Sequence, residues 1–248
     1  MTDVVACVTG AARGIGAATA THLAQQGATV FVAGRNAAAC AVTADAITDA
    51  ASAVGGRALP LVLDVTDAAS IADAFRTIFT TTRRLDVLVN NAGVMPSMLL
   101  GTMDAAGIES VLATNTTGAI LCMQGALRLM QRHRRGAIVN VSSVLAAHGV
   151  VGRTAYAASK AALEAATRAA AVECAPWGVR VNAVAPGWID TELVADFDDV
   201  QRDALRARVP MGRAGQAAEV ASAIAFLASD AAAYVTGAVL PVDGGYVP

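Results

Sequence analysis

The chain has 248 residues, 55% of them apolar and 15% charged, with 18 basic against 20 acidic side chains and a net charge of −2. That balance gives no electrostatic footprint for binding nucleic acid or an anionic membrane, and so apolar a composition is the opposite of a chain too polar to collapse. Every alanine-rich stretch reads as broken by charge, Gly or Pro short of the roughly 18 apolar residues of a membrane span, so no membrane partner is expected.

Short β-branched apolar runs at residues 4–8, 29–33, 59–63, 85–89, 137–141, 179–184 and 238–242 predict seven strands. Between them, residues 16–26, 37–54, 70–81, 105–132, 155–175 and 217–228 have helical periodicity. Strands that alternate with helices, and that look apolar on both faces, call for a parallel sheet with crossover helices on both sides. The expected fold is therefore α/β: a Rossmann-type, doubly wound parallel sheet of about seven strands. No linker, charge run or repeat divides residues 1–248, which read as one domain. Residues 187–213, rich in charge, follow the sixth strand at the crevice end of the sheet and are expected to form a lid. The N-terminus has Asp3 and only a short apolar run, without the basic start and long apolar core of a secretory signal, so a cytoplasmic protein is expected. Cys7, Cys40, Cys122 and Cys174 form no CxxC pair and read as buried thiols, and no metal-ligand spacing occurs.

The first strand ends in Thr9-Gly10-Ala11-Ala12-Arg13-Gly14-Ile15-Gly16, and a helix follows at once. Glycines at a strand-to-helix junction allow a tight turn and close approach of a diphosphate to the free N–H groups of the helix. The residues after the second strand, Gly34-Arg35-Asn36, contain no acid that would hold a ribose 2′-hydroxyl. Arg35 and Arg13 could converge on a 2′-phosphate instead, so NADP(H) is favoured over NAD(H).

Seventeen of the 18 basic residues are Arg, and the only lysine is Lys160. It stands four residues after Tyr156 on a predicted helix, which places both side chains on one face. A phenol with an ordinary pKa near 10 is a poor acid at neutral pH, and an ammonium beside it stabilises the phenolate. A forked guanidinium would not make the same point contact.

The GxxxGxG spacing resembles the short-chain dehydrogenase/reductase family, and further matches follow in family order. They are Asn90-Asn91-Ala92-Gly93, Asn115, Ser143, the YxxxK stretch from Tyr156 to Lys160, Pro186-Gly187, and Asp243-Gly244-Gly245. The resemblance spans essentially the whole chain. It implies a catalytic set of Asn115, Ser143, Tyr156 and Lys160, with Ser143 preferred to its neighbour Ser142 because it lies thirteen residues before Tyr156. Tyr156 would give the proton, Ser143 would polarise a carbonyl, Lys160 would tune Tyr156 and hold the ribose, and Asn115 would hold a water leading to Lys160. Nicotinamide-cofactor contacts are expected at Gly10, Arg13, Gly14, Ile15, Gly16, Arg35, Asp64, Val65, Asn91, Ala92, Gly93, Tyr156, Lys160, Pro186, Gly187, Ile189 and Thr191. Val94, Met95, Leu145, Trp188 and Leu193 would line an apolar substrate pocket with Ser143.

Within the family, residues 186–213 and the tail beyond Ala225 look most like the 3-oxoacyl-[acyl-carrier-protein] reductases. Such reductases present basic residues near the crevice to the acidic carrier. Arg134 matches one position, and Trp177 stands at the other. A 3-oxoacyl thioester is the first expectation, with or without its carrier protein, and a free ketone or secondary alcohol is the alternative. A nicotinamide-sensing protein without catalysis would have no need of the full catalytic set. Resemblance also implies a homotetramer.

Overall fold

In the computed structural model, residues 2–191, 203–204 and 206–247 are described. The strands β1 (Val5–Thr9), β2 (Thr29–Gly34), β3 (Arg57–Val62), β4 (Val87–Asn90), β5 (Gly136–Val141), β6 (Val179–Pro186) and β9 (Val239–Val242) form one sheet in the order β3-β2-β1-β4-β5-β6-β9. Every pairing in it is parallel. The helices are α1 (Gly14–Gln25), α2 (Ala37–Ala51), α3 (Ala68–Thr82), α4 (Ala105–Leu112), α5 (Gly118–Met130), α6 (Thr154–Cys174) and α7 (Ala217–Ala228).

Alternation along the strands divides the core in two, because successive side chains leave opposite faces. Ala6, Val8, Val30, Val32, Val87, Val89 and Val139 pack on α1, α2 and α7. Val5, Cys7, Phe31, Ala33, Leu88, Ile138 and Val181 pack on α3, α5 and α6. All four cysteines are buried thiols, and burial pushes each of them up in pKa. The chain reverses its direction of winding between β1 and β4, which are neighbours in the sheet. This switch point opens a crevice at the carboxyl ends of the strands.

Two segments differ from the sequence expectation. Residues 105–132 are not one helix: α4 and α5 are joined by a π-helical turn at Ala113–Thr117, with Asn115 and Thr116 buried in it. Asn115 turns inward and bonds to other parts of the chain, so a helix-period pattern conceals a bulge there. Two short strands, β7 (Ile189–Asp190) and β8 (Gly215–Gln216), pair across the segment expected to be a lid. Two-residue strands leave no periodic signal, and the middle of the expected lid, with Leu193, lies outside the described residues. By length and mean hydropathy alone Ala37–Val54 would pass for a membrane span, though charge breaks its apolar run as the sequence reading has it. It carries Asp45 and Asp49, and Cys40, Ala44, Ile47 and Ala51 bury one of its faces against the sheet.

Candidate active site

The glycine loop sits at the switch point. Gly10 and Gly14 have φ of 63° and 56°, a left-handed backbone that side chains strain. At Gly16 the limit is space, since a Cβ would lie 2.4 Å from the Gly10 carbonyl oxygen and 2.5 Å from Asn91 Nδ2. Asn91 fixes the loop from the other side of the crevice, donating from Nδ2 to the carbonyls of Thr9 (2.9 Å) and Gly10 (3.0 Å). Thr9 Oγ1 in turn accepts from the backbone N–H of Asn91 and Ala92. Among the described residues no side chain caps the start of α1. The first N–H groups of α1 thus face a concavity that any Cβ would narrow, and these residues fit a dinucleotide diphosphate.

Other expected cofactor residues follow the carboxyl ends of neighbouring strands of the sheet. A Cβ on Gly14 would meet the Thr191 side chain at 3.8 Å. Gly187 donates to the Val242 carbonyl at 3.0 Å directly after Pro186, and Ile189 is buried in β7. Asp64, after β3, accepts from Thr66 N (2.9 Å) and Thr66 Oγ1 (2.7 Å). These bonds hold its carboxyl below the usual range, and the charge of Arg35 adds to the effect. Val65 is buried beside it. Arg35 follows β2 and its charge reaches Asp64, and Arg13, which precedes α1, lines a cleft of about 530 Å³ with Gly93, Val94, Met95 and Met98.

Ser143, Tyr156, Lys160 and Asn115 are all buried at the carboxyl ends of β4 and β5. Ser143 follows β5 and opens the short 3-10 turn Val144–Ala146, its Oγ accepting from Leu145 N at 3.2 Å. Tyr156 and Lys160 lie one turn apart on α6, and Lys160 Nζ is 5.8 Å from the Tyr156 ring centroid. That ammonium donates to the Val141 carbonyl at 2.7 Å, and burial lowers its pKa to about 8. A Cβ on Gly93 would stand 3.4 Å from Nζ and 3.3 Å from Asn115 Oδ1, so the loop after β4 passes directly over both. Asn115 ties that loop to α6. It accepts from Val94 N (2.8 Å), and its Nδ2 donates to Val94 O (2.9 Å) and Ser159 Oγ (3.0 Å).

Burial pushes the Tyr156 phenol up, so it stays protonated at neutral pH. Hydrogen bonding from Ser143 and the charge of Arg153 pull in the other direction. The cation whose charge lowers the pKa of this phenol is Arg153, which sequence reasoning left unassigned. Its signal was present, because a residue three before Tyr156 at a helix start shares that helix face.

The expected substrate residues separate into two groups. Val94 and Met95 line the cleft with Arg13. Leu145 and Trp188 instead pack on Val144, Val209 and Tyr246, the last two being unforeseen. His148 stacks near Tyr246, with ring centroids 6.1 Å apart. Arg134 and Trp177 also depart from expectation. They precede β5 and β6, and so lie at the amino ends of these strands, opposite the crevice of their own chain. Arg134 stacks on Trp177 at 5.9 Å and donates to Pro176 O at 2.7 Å, while its neighbour Arg135 pairs with Asp230. Proximity in sequence to elements of the crevice does not distinguish one end of a strand from the other.

Comparison with known proteins agrees with this architecture. A family model described as "Enoyl-(Acyl carrier protein) reductase" matches residues 10–247. The chain is 48% identical to cis-4-hydroxycyclohexanecarboxylate dehydrogenase of Sinomonas cyclohexanicum, over 98% of this chain and 96% of that protein. It is 43% identical to the 3-oxoacyl-[acyl-carrier-protein] reductase FabG of Pseudomonas aeruginosa, over 97% and 96%. The crystal structure of levodione reductase superposes with a TM-score of 0.93 at 31% identity, covering 99% of this chain and 98% of that one. Likeness on this scale takes in the glycine loop, the Asn115 turn and the Tyr156 helix together, and the chain belongs to the short-chain dehydrogenase/reductase family.

Proposed function

We propose that this oxidoreductase is NADP(H)-dependent and interconverts a free small-molecule ketone and its secondary alcohol within one domain, with Tyr156 as the proton donor. The observation that carries the reading is the burial of Ser143, Tyr156, Lys160 and Asn115 around one crevice beside the glycine loop. When bound, the reduced nicotinamide supplies a hydride to the carbonyl carbon and is left oxidised. The Tyr156 hydroxyl passes its proton to the carbonyl oxygen, and the Ser143 hydroxyl donates a hydrogen bond to the same oxygen. Lys160 stabilises the phenolate left behind, and Asn115 holds the loop and the water through which the proton returns.

A free substrate is favoured over a carrier-bound one by the placement of Arg134 and Trp177 away from the crevice and by the internal partners of Arg134 and Arg135. It also accords with the names of the cyclohexanecarboxylate and levodione enzymes. A 3-oxoacyl thioester is the second reading, favoured by the likeness to the P. aeruginosa reductase. The test is absorbance at the reduced nicotinamide band, with NADPH and NADH offered separately beside cyclic ketones, linear ketones and a short 3-oxoacyl thioester. Consumption of NADPH with a free ketone is expected. No consumption with any carbonyl, and none in reverse with alcohols, would refute the reading.

Preference for NADP(H) rests on Arg35 and on the lack of a carboxylate at residues 34–36. Arg35→Ala should lower kcat/KM for NADPH by about 10- to 100-fold, the worth of a charge-assisted contact, and leave NADH nearly unchanged. Equal losses with both cofactors would contradict that assignment. A cytoplasmic homotetramer is the assembly we propose, supported by exposed Val172 on α6, Phe226 on α7 and Tyr234. Light scattering on the eluted protein would check its mass.

A further inference from the structure

Arg153 immediately precedes α6, one helical turn before Tyr156, and its charge reaches the phenol. The side chain is half-buried, and one nitrogen donates to the Met95 carbonyl at 2.8 Å, on the loop that carries Val94 across the mouth of the crevice. That bond uses one of five guanidinium N–H groups. Among the described residues no carboxylate pairs with Arg153 and no other acceptor meets it. A cation at the start of a helix also runs against the helix dipole. An unpaired guanidinium is thus held, at some cost in stability, between the reacting phenol and the apolar wall of Val94 and Met95.

We propose that Arg153 anchors a carboxylate of the substrate, so that the substrate class is a small oxo- or hydroxycarboxylic acid. This rests on the function proposed above and narrows it. Side chains one turn apart on a helix are separated by about 5–6 Å at Cβ. An anion on Arg153 with its reacting oxygen on Tyr156 therefore spans a short carbon chain or a single ring, not a long acyl group. The planar fork of the guanidinium matches the two oxygens of a carboxylate, and one such charge is neutralised by one carboxylate. Arg153 is accordingly a specificity-determining residue, with Tyr156 performing the chemistry.

The experiment compares kcat/KM for 4-oxopentanoate and 4-oxocyclohexanecarboxylate with their methyl esters, in the unaltered enzyme, Arg153→Gln and Arg153→Lys. The unaltered enzyme is expected to prefer at least one acid to its ester by about 10- to 100-fold, the worth of a charged hydrogen bond. Arg153→Gln should bring that ratio close to one, and Arg153→Lys should keep part of it. Because the readout is a ratio within each variant, a general loss from disturbing Met95 cancels. Reduction of neutral ketones without preference for either acid would overturn the anchor and leave the proposed function standing. So would an acid preference that survives Arg153→Gln. Failure of every ketone with either cofactor would overturn both.

Discussion

Tyr156→Phe is expected to reduce kcat for ketone reduction by about 10²–10⁴-fold, the range supplied by a positioned general acid. The phenol is buried and kept protonated by that burial, so it is poised to donate. Phe keeps the ring and its packing against α6, and only the hydroxyl is lost. Cofactor binding, read from quenching or enhancement of nicotinamide fluorescence, should therefore persist, and the thermal midpoint should hardly move. A Tyr156→Phe enzyme of nearly normal kcat would show that the proton comes from elsewhere. A variant that no longer bound cofactor would make Tyr156 a cofactor contact first and an acid second.

Lys160 gives the second large effect, and its sign differs between activity and stability. Burial lowers the pKa of this ammonium from 10.5 to about 8. A folded-state value below the unfolded one means that folding is penalised wherever the lysine is charged. The penalty is present in full below pH 8 and is relieved as pH rises from about 8 toward 10.5. Its size is about 3 kcal/mol, offset by roughly 1 kcal/mol from the bond to Val141 O. Lys160→Met should therefore be inactive yet no less stable at pH 7, with a thermal midpoint equal to or above that of the unaltered chain. Lys160→Arg should be inactive and less stable, because a larger group that cannot shed its charge would be forced under Gly93. Thermal unfolding beside steady-state rates reads both. A Lys160→Met enzyme that lost stability and kept activity would reverse the assignment.

The fold was legible because its signals are long and repeated. Seven apolar runs separated by helical segments leave few topologies, and the sheet contains all seven. The candidate catalytic residues were legible because spacing on one helix fixes Tyr156 and Lys160 relative to each other, and the structure brings Ser143 and Asn115 to them. What escaped was set by contacts distant in sequence. The bulge at Asn115 depends on bonds to Val94 and Ser159, and the β7–β8 pair on two residues at each site. Tyr246, close to the C-terminus, returns to pack with Val144 and Val209, which no local pattern announces. Arg153 was readable by its offset from Tyr156, but its meaning comes from a bond to Met95 and from the lack of an acid beside it among the described residues.

The most direct measurement of the pairing between Lys160 and Tyr156 is the pH dependence of kcat/KM for NADPH at saturating ketone, which reports groups of the free enzyme. With the phenol held up by burial and the ammonium held near 8, the rate constant should be level below pH 7 and fall above a midpoint near 8 as Lys160 loses its proton. A plateau that runs undiminished to pH 10 would contradict the account, since the enzyme would then work equally well without the charge on its only lysine.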